Sequence, residues 1–257
     1  MIAVVNDYGH DELFSKIMKA KLFSLAPDQN IVEISEQLDF GEIYTASDVL
    51  ERFAFHMEKN VFFLVCVNGF NESSHIPIAM VTKDGKTFVG FDNGVFTSVI
   101  ERFGIRQIRR IDMPKGFSPS FVKTTFDILI PTIVKLASGM DFSKVGDLYM
   151  TYYSLKHKRA RLKGKSLIEG EVAFINGFGS VETNVPFEFL KQIGVETGDR
   201  VKVNKKNATV IFNERDGENE QLMVREGMGG YVEIFSRDVK AAGLLKIHAR
   251  SEIRLEV

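Results

Sequence analysis

Two hydrophobic rhythms run through the first part of the chain. Ile2-Ala3-Val4-Val5 is a short unbroken apolar run, the pattern of a strand buried on both faces. Leu13, Phe14, Ile17, Met18, Leu22 and Leu25 then recur at helical spacing up to Pro27, which ends the pattern. A short strand is expected at 31–34 and a helix over 42–57, with Ile43, Ala46, Val49, Leu50 and Phe53 on one face. The run 61–67 is apolar on both faces and predicts a central strand. Strands at 76–81 and 87–91 flank Lys83-Asp84-Gly85-Lys86, whose Asp-Gly pair is hairpin chemistry. Helix 95–103, strand 105–111 and a longer helix 121–137 follow.

This alternation predicts a layered α/β domain with a central, mainly parallel sheet over 1–154. The charged run Lys156-His157-Lys158-Arg159 then opens a stretch, 155–165, that reads as a solvated basic linker, with a phosphate-binding arm as the alternative. From 166 to 257 the texture is strand after strand, at 167–175, 200–204, 209–212, 222–226, 231–235 and 252–257, with a helix-like stretch at 187–193. A smaller, all-β, antiparallel barrel domain is expected there.

Composition narrows the function classes. The chain has 257 residues and a formal charge of −1, so it carries no overall field for nucleic acid or an anionic membrane. Its longest apolar stretch, near Ile128 to Ala137, is too short to span a bilayer and is interrupted by Pro131 and Lys135. No basic, cleavable leader precedes the first strand, and the cytoplasm is the expected compartment. Cys66 is the lone cysteine, which excludes an intramolecular disulfide and a thiolate metal cluster. Inside its apolar run it is expected to be a small core hydrophobe. No histidine spacing suggests zinc, and no cofactor is expected.

The chemistry concentrates at Asn6-Asp7-Tyr8-Gly9-His10-Asp11. An acidic glycine turn at the carboxyl end of a buried strand is where α/β sheets bind ligands. A carboxylate there can accept from the paired hydroxyls of a ribose, and glycine permits close backbone approach. Capping of the following helix by Asp7 or Asp11 is the alternative.

This turn resembles the Thr-Asp-Phe-Gly-x-x-Asp opening of the S-adenosyl-L-methionine hydroxide adenosyltransferases, the family related to fluorinase and chlorinase. The likeness continues in order through Pro27–Ser35, the Asp-Asn-Gly signature at Asp92-Asn93-Gly94, Asp127-Ile128-Leu129-Ile130-Pro131, Gly177-Phe178-Gly179 with Thr183-Asn184, and Gly230-Tyr231-Val232-Glu233-Ile234. It implies a homotrimer in which S-adenosylmethionine lies between one subunit's first domain and a neighbour's second. Water attacks the ribose 5′ carbon there to give adenosine and methionine. Asp7 takes the place of the aspartate that holds the ribose hydroxyls, and Asp11 and Asn93 fall near the amino acid end, with Asp92 the acidic partner of Asn93.

The departures are as specific as the matches. Where these hydrolases carry an Asp, Arg and His set that activates water, this chain has Asn68, His75 near the arginine position, and Thr124. Asn68 can orient a water but cannot take its proton, whereas Glu72 with His75 could form a substitute pair, an imidazole of pKa about 6.5 being matched to neutral pH. His10, inside the opening loop, is a secondary candidate. Asn176 and Ser180 replace the Asp and Asn that read the adenine edge. Phe40 could compensate by stacking on the base at about 1–3 kcal/mol. Core packing is the alternative for Phe40 and for Phe178, and is the favoured one for Phe178. A catalytically impaired module that binds S-adenosylmethionine or another nucleoside is the alternative to a hydrolase; a halide-using transferase is disfavoured, since nothing here identifies a halide cage.

Overall fold

A computed structural model describes residues 1–8, 12–34, 38–67, 76–212 and 221–257. They form two compact units, Met1–Leu155 and Lys156–Val257.

The first unit is built on a six-stranded sheet of order β2-β1-β3-β5-β4-β6. Its strands are β1 (Ile2–Asn6), β2 (Ile31–Glu33), β3 (Phe62–Cys66), β4 (Pro77–Thr82), β5 (Thr87–Phe91) and β6 (Ile105–Arg110). β1 pairs in parallel with β2 and β3, and β3 with β5; β4 alone runs against its neighbours. The mainly parallel sheet expected from the alternation of elements is thus present.

The unbroken apolar runs of β1 and β3 follow from burial on both sides. Ile2, Val4, Leu64 and Cys66 face a core shared with Met18, Leu22, Ile130 and Ile133. Ala3, Val5, Phe63 and Val65 face the opposite core, with Ala46, Leu50, Val95 and Val99. Helix α1 (Leu13–Leu25) therefore packs on one face, and α2 (Ile43–Phe55) with α3 (Thr97–Phe103) on the other.

The long helix expected over 121–137 is helical throughout but not uniform. A turn of α-helix (α4, Phe121–Thr124) leads into a π-helical segment, Thr125–Leu129, and then into α5 (Ile130–Ala137). Pro131 has no N–H to give to the ladder, and the widened segment lies directly before it.

The second unit closes into a barrel. Its strands β8 (Leu167–Ile175), β9 (Val181–Pro186), β10 (Arg200–Val203), β11 (Lys206–Val210), β12 (Met223–Glu226), β13 (Tyr231–Phe235) and β14 (Glu252–Glu256) run in ring order β14-β10-β11-β12-β13-β9-β8. Pairing of β14 with β8 shuts the ring. One pair, β11 with β12, is parallel, a departure from the all-antiparallel expectation. Ile168, Val172, Val201, Val203, Val224 and Ile234 point into its core.

Several boundaries move. β11 starts at Lys206 rather than Thr209, because Asn204 and Lys205 both adopt positive φ, at 47° and 73°, and make a tight hairpin. Arg161–Lys163, inside the expected linker, is a strand (β7) paired with the start of β8. Before it, Lys158 is fixed to the barrel: its N–H donates to Glu171, its carbonyl accepts from Asn184 at 2.6 Å, and its ammonium pairs with Glu252 at 2.7 Å. His157, Lys158, Arg159 and Arg161 surround a cavity of about 330 Å³ together with Glu169.

Candidate functional site

The carboxyl ends of β1 and β2 are tied together by Asn6. Its amide donates to Glu33 at 2.8 Å, and its oxygen accepts from the Tyr8 N–H at 3.0 Å and the Ser15 hydroxyl at 2.9 Å. One buried side chain thereby fixes the exit of the chain from the sheet. Asp7 follows, 2% exposed, and its Oδ2 accepts from the Gly41 N–H at 2.8 Å. Helix α1 is preceded by Glu12, whose side chain makes no cap bond. The Gly41 bond brings Asp7 beside Phe40, although α1 and β2 separate the two in sequence. Phe40 is 53% exposed and makes a T-shaped contact with Tyr8, centroids 5.5 Å apart.

Asn93 is fully buried at the same edge of the sheet. Its amide donates to the Val67 carbonyl at 2.8 Å and its oxygen accepts from the Val95 N–H at 3.2 Å, so it ties the end of β3 to the turn after β5. Gly94 has φ of +100°, and a Cβ there would lie 2.7 Å from Leu155. Asp92, expected near the ligand, has both oxygens engaged by its own unit: Oδ2 accepts from the Tyr149 hydroxyl and Oδ1 from the Tyr153 N–H, each at 2.8 Å. It does not cap the next helix. Its carboxylate clasps the 149–153 segment.

Burial raises the Asp92 carboxyl above the ordinary range, and the bonds from Tyr153 and Tyr149 pull it partly back. A raised folded-state pKa means the folded chain holds the proton more tightly than the unfolded one. The cost of the buried charge is therefore fully present at neutral pH and is relieved as pH falls through the folded pKa. Tyr149→Phe removes one stabilising donor, is expected to cost about 1 kcal/mol at pH 7, and moves the onset of that relief to higher pH. Urea denaturation between pH 4 and pH 7, as experimental settings, reads both effects.

Cys66 is buried in the core as expected. Burial pushes its thiol far above the ordinary range, against the lowering contact of Thr125, with Asp7 raising it further. Thr124 is fully buried at the start of the π segment, and its hydroxyl oxygen has no hydrogen-bond partner among the described residues. Asp11, His10, Asn68, Glu72 and His75 lie outside the described residues.

On the second unit a cavity of about 540 Å³ brings together Asn176, Phe178 and Ser180, all named from the sequence. The Asn176 oxygen accepts from the N–H groups of Phe178 and Ser180, each at 3.1 Å, which shapes a tight turn. At its tip Phe178 is 89% exposed, so the favoured core packing is wrong: the residue stands on the turn between β8 and β9, not on a barrel strand. Gly179 there has φ of +80° and lies close against Lys240.

The same cavity has walls that sequence reasoning missed. Glu182 and Glu233, opposite each other on β9 and β13, are buried, and Arg225 binds Glu233 through Nε at 2.7 Å and a second nitrogen at 3.3 Å. The Arg225 guanidinium also lies 4.3 Å over the Phe235 ring. Thr183 and Asn184 staple β9 in place, the first to the Val232 carbonyl at 2.8 Å, the second by accepting from the Glu171 N–H at 2.9 Å.

Residues 2–146 match the SAM hydroxide adenosyltransferase N-terminal domain, and residues 170–254 its C-terminal domain. The chain belongs to the SAM hydroxide adenosyltransferase family. It is 23% identical over 266 aligned positions to the (R)-S-adenosyl-L-methionine hydrolase of Methanocaldococcus jannaschii, covering 99% of this chain and 95% of that one. A crystal structure of an uncharacterized conserved protein from Thermotoga maritima superposes with a TM-score of 0.92 at 30% identity, covering all of both chains. A conserved hypothetical protein from Thermus thermophilus shares the fold, with a TM-score of 0.73 at 21% identity over 99% of this chain and 98% of that one. The match to the N-terminal domain spans the acidic turn and Asp92-Asn93-Gly94. Among the described residues no helix is long and apolar enough to cross a membrane, and no three His, Cys, Asp or Glu side chains gather in a way that could hold a metal ion.

Proposed function

We propose that this protein hydrolyses S-adenosyl-L-methionine to adenosine and L-methionine, as a cytoplasmic homotrimer and without a cofactor. The observation that carries the reading is the placement of Asp7: a buried carboxylate at the carboxyl edge of a parallel sheet, fixed by Gly41 beside an exposed ring, in a chain of this family. Asp7 accepts from both ribose hydroxyls. Asp11 and Asn93 serve the amino acid end, while Asp92 clasps the 149–153 segment. Asn176, Phe178 and Ser180 face the base.

The oxygen of water forms a bond to C5′ as the C5′–S bond breaks. The electron pair returns to sulfur, which leaves as a neutral thioether, and the water gives up one proton. Because the leaving group starts cationic, alignment of water in line and exclusion of bulk solvent supply much of the rate, proximity being worth about 7–11 kcal/mol in favourable cases. Asn68 and Thr124 orient the water, and His75 with Glu72 takes the proton. The Thr124 hydroxyl, buried without a partner among the described residues, suits that role.

Purified protein incubated with S-adenosylmethionine is expected to yield adenosine and methionine in equal amounts by chromatography. Calorimetric binding without either product would instead assign a nucleoside-binding module. Neither binding nor product would overturn both readings.

A further inference from the structure

The residues around Asp7 form a cluster of aromatic rings. Tyr8 stacks on Phe14 with centroids 4.3 Å apart, meets Phe40 in a T-shaped contact at 5.5 Å, and lies 5.5 Å from Phe121. Most of these rings belong to the core, but Phe40 stands more than half exposed, and the Gly41 bond to Asp7 fixes its backbone beside the carboxylate. Ring faces carry negative potential, and Asp7 adds a carboxylate to the same wall. Burial and the neighbouring Asp7 push the Tyr8 hydroxyl up to about 12, so the phenol stays protonated and its ring remains a neutral surface.

We infer that Tyr8 and Phe40, together with Asp7, select for positive charge on the ligand's sulfur, so that the site takes a sulfonium in preference to the neutral thioether of the same shape. The inference rests on the reading of S-adenosylmethionine as the ligand, and assigns these rings a task that shape alone would not need. A π face within about 6 Å of a cation is worth about 0.5–2 kcal/mol, which is about a 2- to 30-fold preference. The attraction exists only before the C5′–S bond breaks, because the returning electron pair discharges the sulfur. It is ground-state binding: loss of a ring raises KM and leaves kcat unchanged or slightly raised. Products leave a wall that no longer attracts them.

Calorimetry at pH 6 on the full-length protein tests this with three ligands: S-adenosylhomocysteine, an unreactive isostere with a protonated tertiary amine in place of the sulfonium, and adenosine. The wild-type protein is expected to bind the cation about tenfold more tightly than the thioether. Phe40→Leu keeps apolar bulk at an exposed position and is expected to shrink that preference to about threefold or less, with adenosine affinity changed less than about twofold. Tyr8→Leu should act in the same direction. If Phe40→Leu weakens all three ligands in equal proportion, the rings serve shape or base contact and the inference is wrong while the ligand assignment stands. Equal wild-type affinity for cation and thioether overturns it likewise. Absence of binding for all three overturns the ligand assignment along with it.

Discussion

Asp7→Asn is expected to lower kcat/KM for S-adenosylmethionine by about 10²-fold while leaving the urea midpoint nearly unchanged. The stability half of this expectation comes from the Gly41 bond, since an asparagine oxygen can accept from that N–H as the carboxylate does. The function half comes from counting acceptors. A carboxylate can take both hydroxyl protons of a ribose, whereas the amide turns a donor toward one of them. One charge-assisted bond is lost, at about 1.5–3 kcal/mol, and a donor is set against a donor. Calorimetry with adenosine and with its 2′,3′-dideoxy analogue isolates the effect. The substitution should weaken adenosine and leave the dideoxy ligand almost as it was. Equal weakening of both would show that Asp7 does not hold the sugar.

The second large effect is expected in the barrel. Arg225→Met should destabilise the protein by about 1–3 kcal/mol at neutral pH. Arg225 binds Glu233, 5% exposed, with two nitrogens, and Glu182 lies opposite Glu233 on the neighbouring strand. Removing the guanidinium leaves a carboxylate with little access to water, and the cost of an uncompensated buried charge exceeds the modest gain the intact pair gives. Adding Glu233→Gln to the variant should recover much of the loss, because a neutral amide no longer demands a counter-charge. If the double variant is as unstable as the single one, the missing contact is the Arg225 stack on Phe235 rather than the ion pair.

Much of the fold was legible because burial writes itself into periodicity. The unbroken runs of β1 and β3 named strands covered on both faces, and the Asp-Gly pair named the β4–β5 hairpin. β9 escaped because Val181-Glu182-Thr183-Asn184-Val185 carries polar residues at buried positions, with Thr183 and Asn184 satisfied by partners remote in sequence. The same holds for Asp92, whose partners Tyr149 and Tyr153 come from a segment that no local pattern ties to it. For the candidate site, motif order named Asp7, Asn93, Asn176 and Ser180. Composition could not reveal that Glu182, Arg225 and Glu233 would wall the cavity of Asn176 and Ser180, because strand register decides that. The exposure of Phe178 was misjudged for a related reason: the turn that carries it is shaped by hydrogen bonds to Asn176, which no hydropathy pattern reports.

The seam between β14 and β8 has a consequence for synthesis at the ribosome. β8 is among the first strands of its unit to leave the exit tunnel and β14 the last, so their ladder waits for nearly the whole unit to be translated. At about 5–20 residues per second the nascent barrel spends several seconds with two open borders, along β8 and along β10. Shortening the chain before Glu252 would make that transient exposure permanent and turn a closed barrel into a template for aggregation.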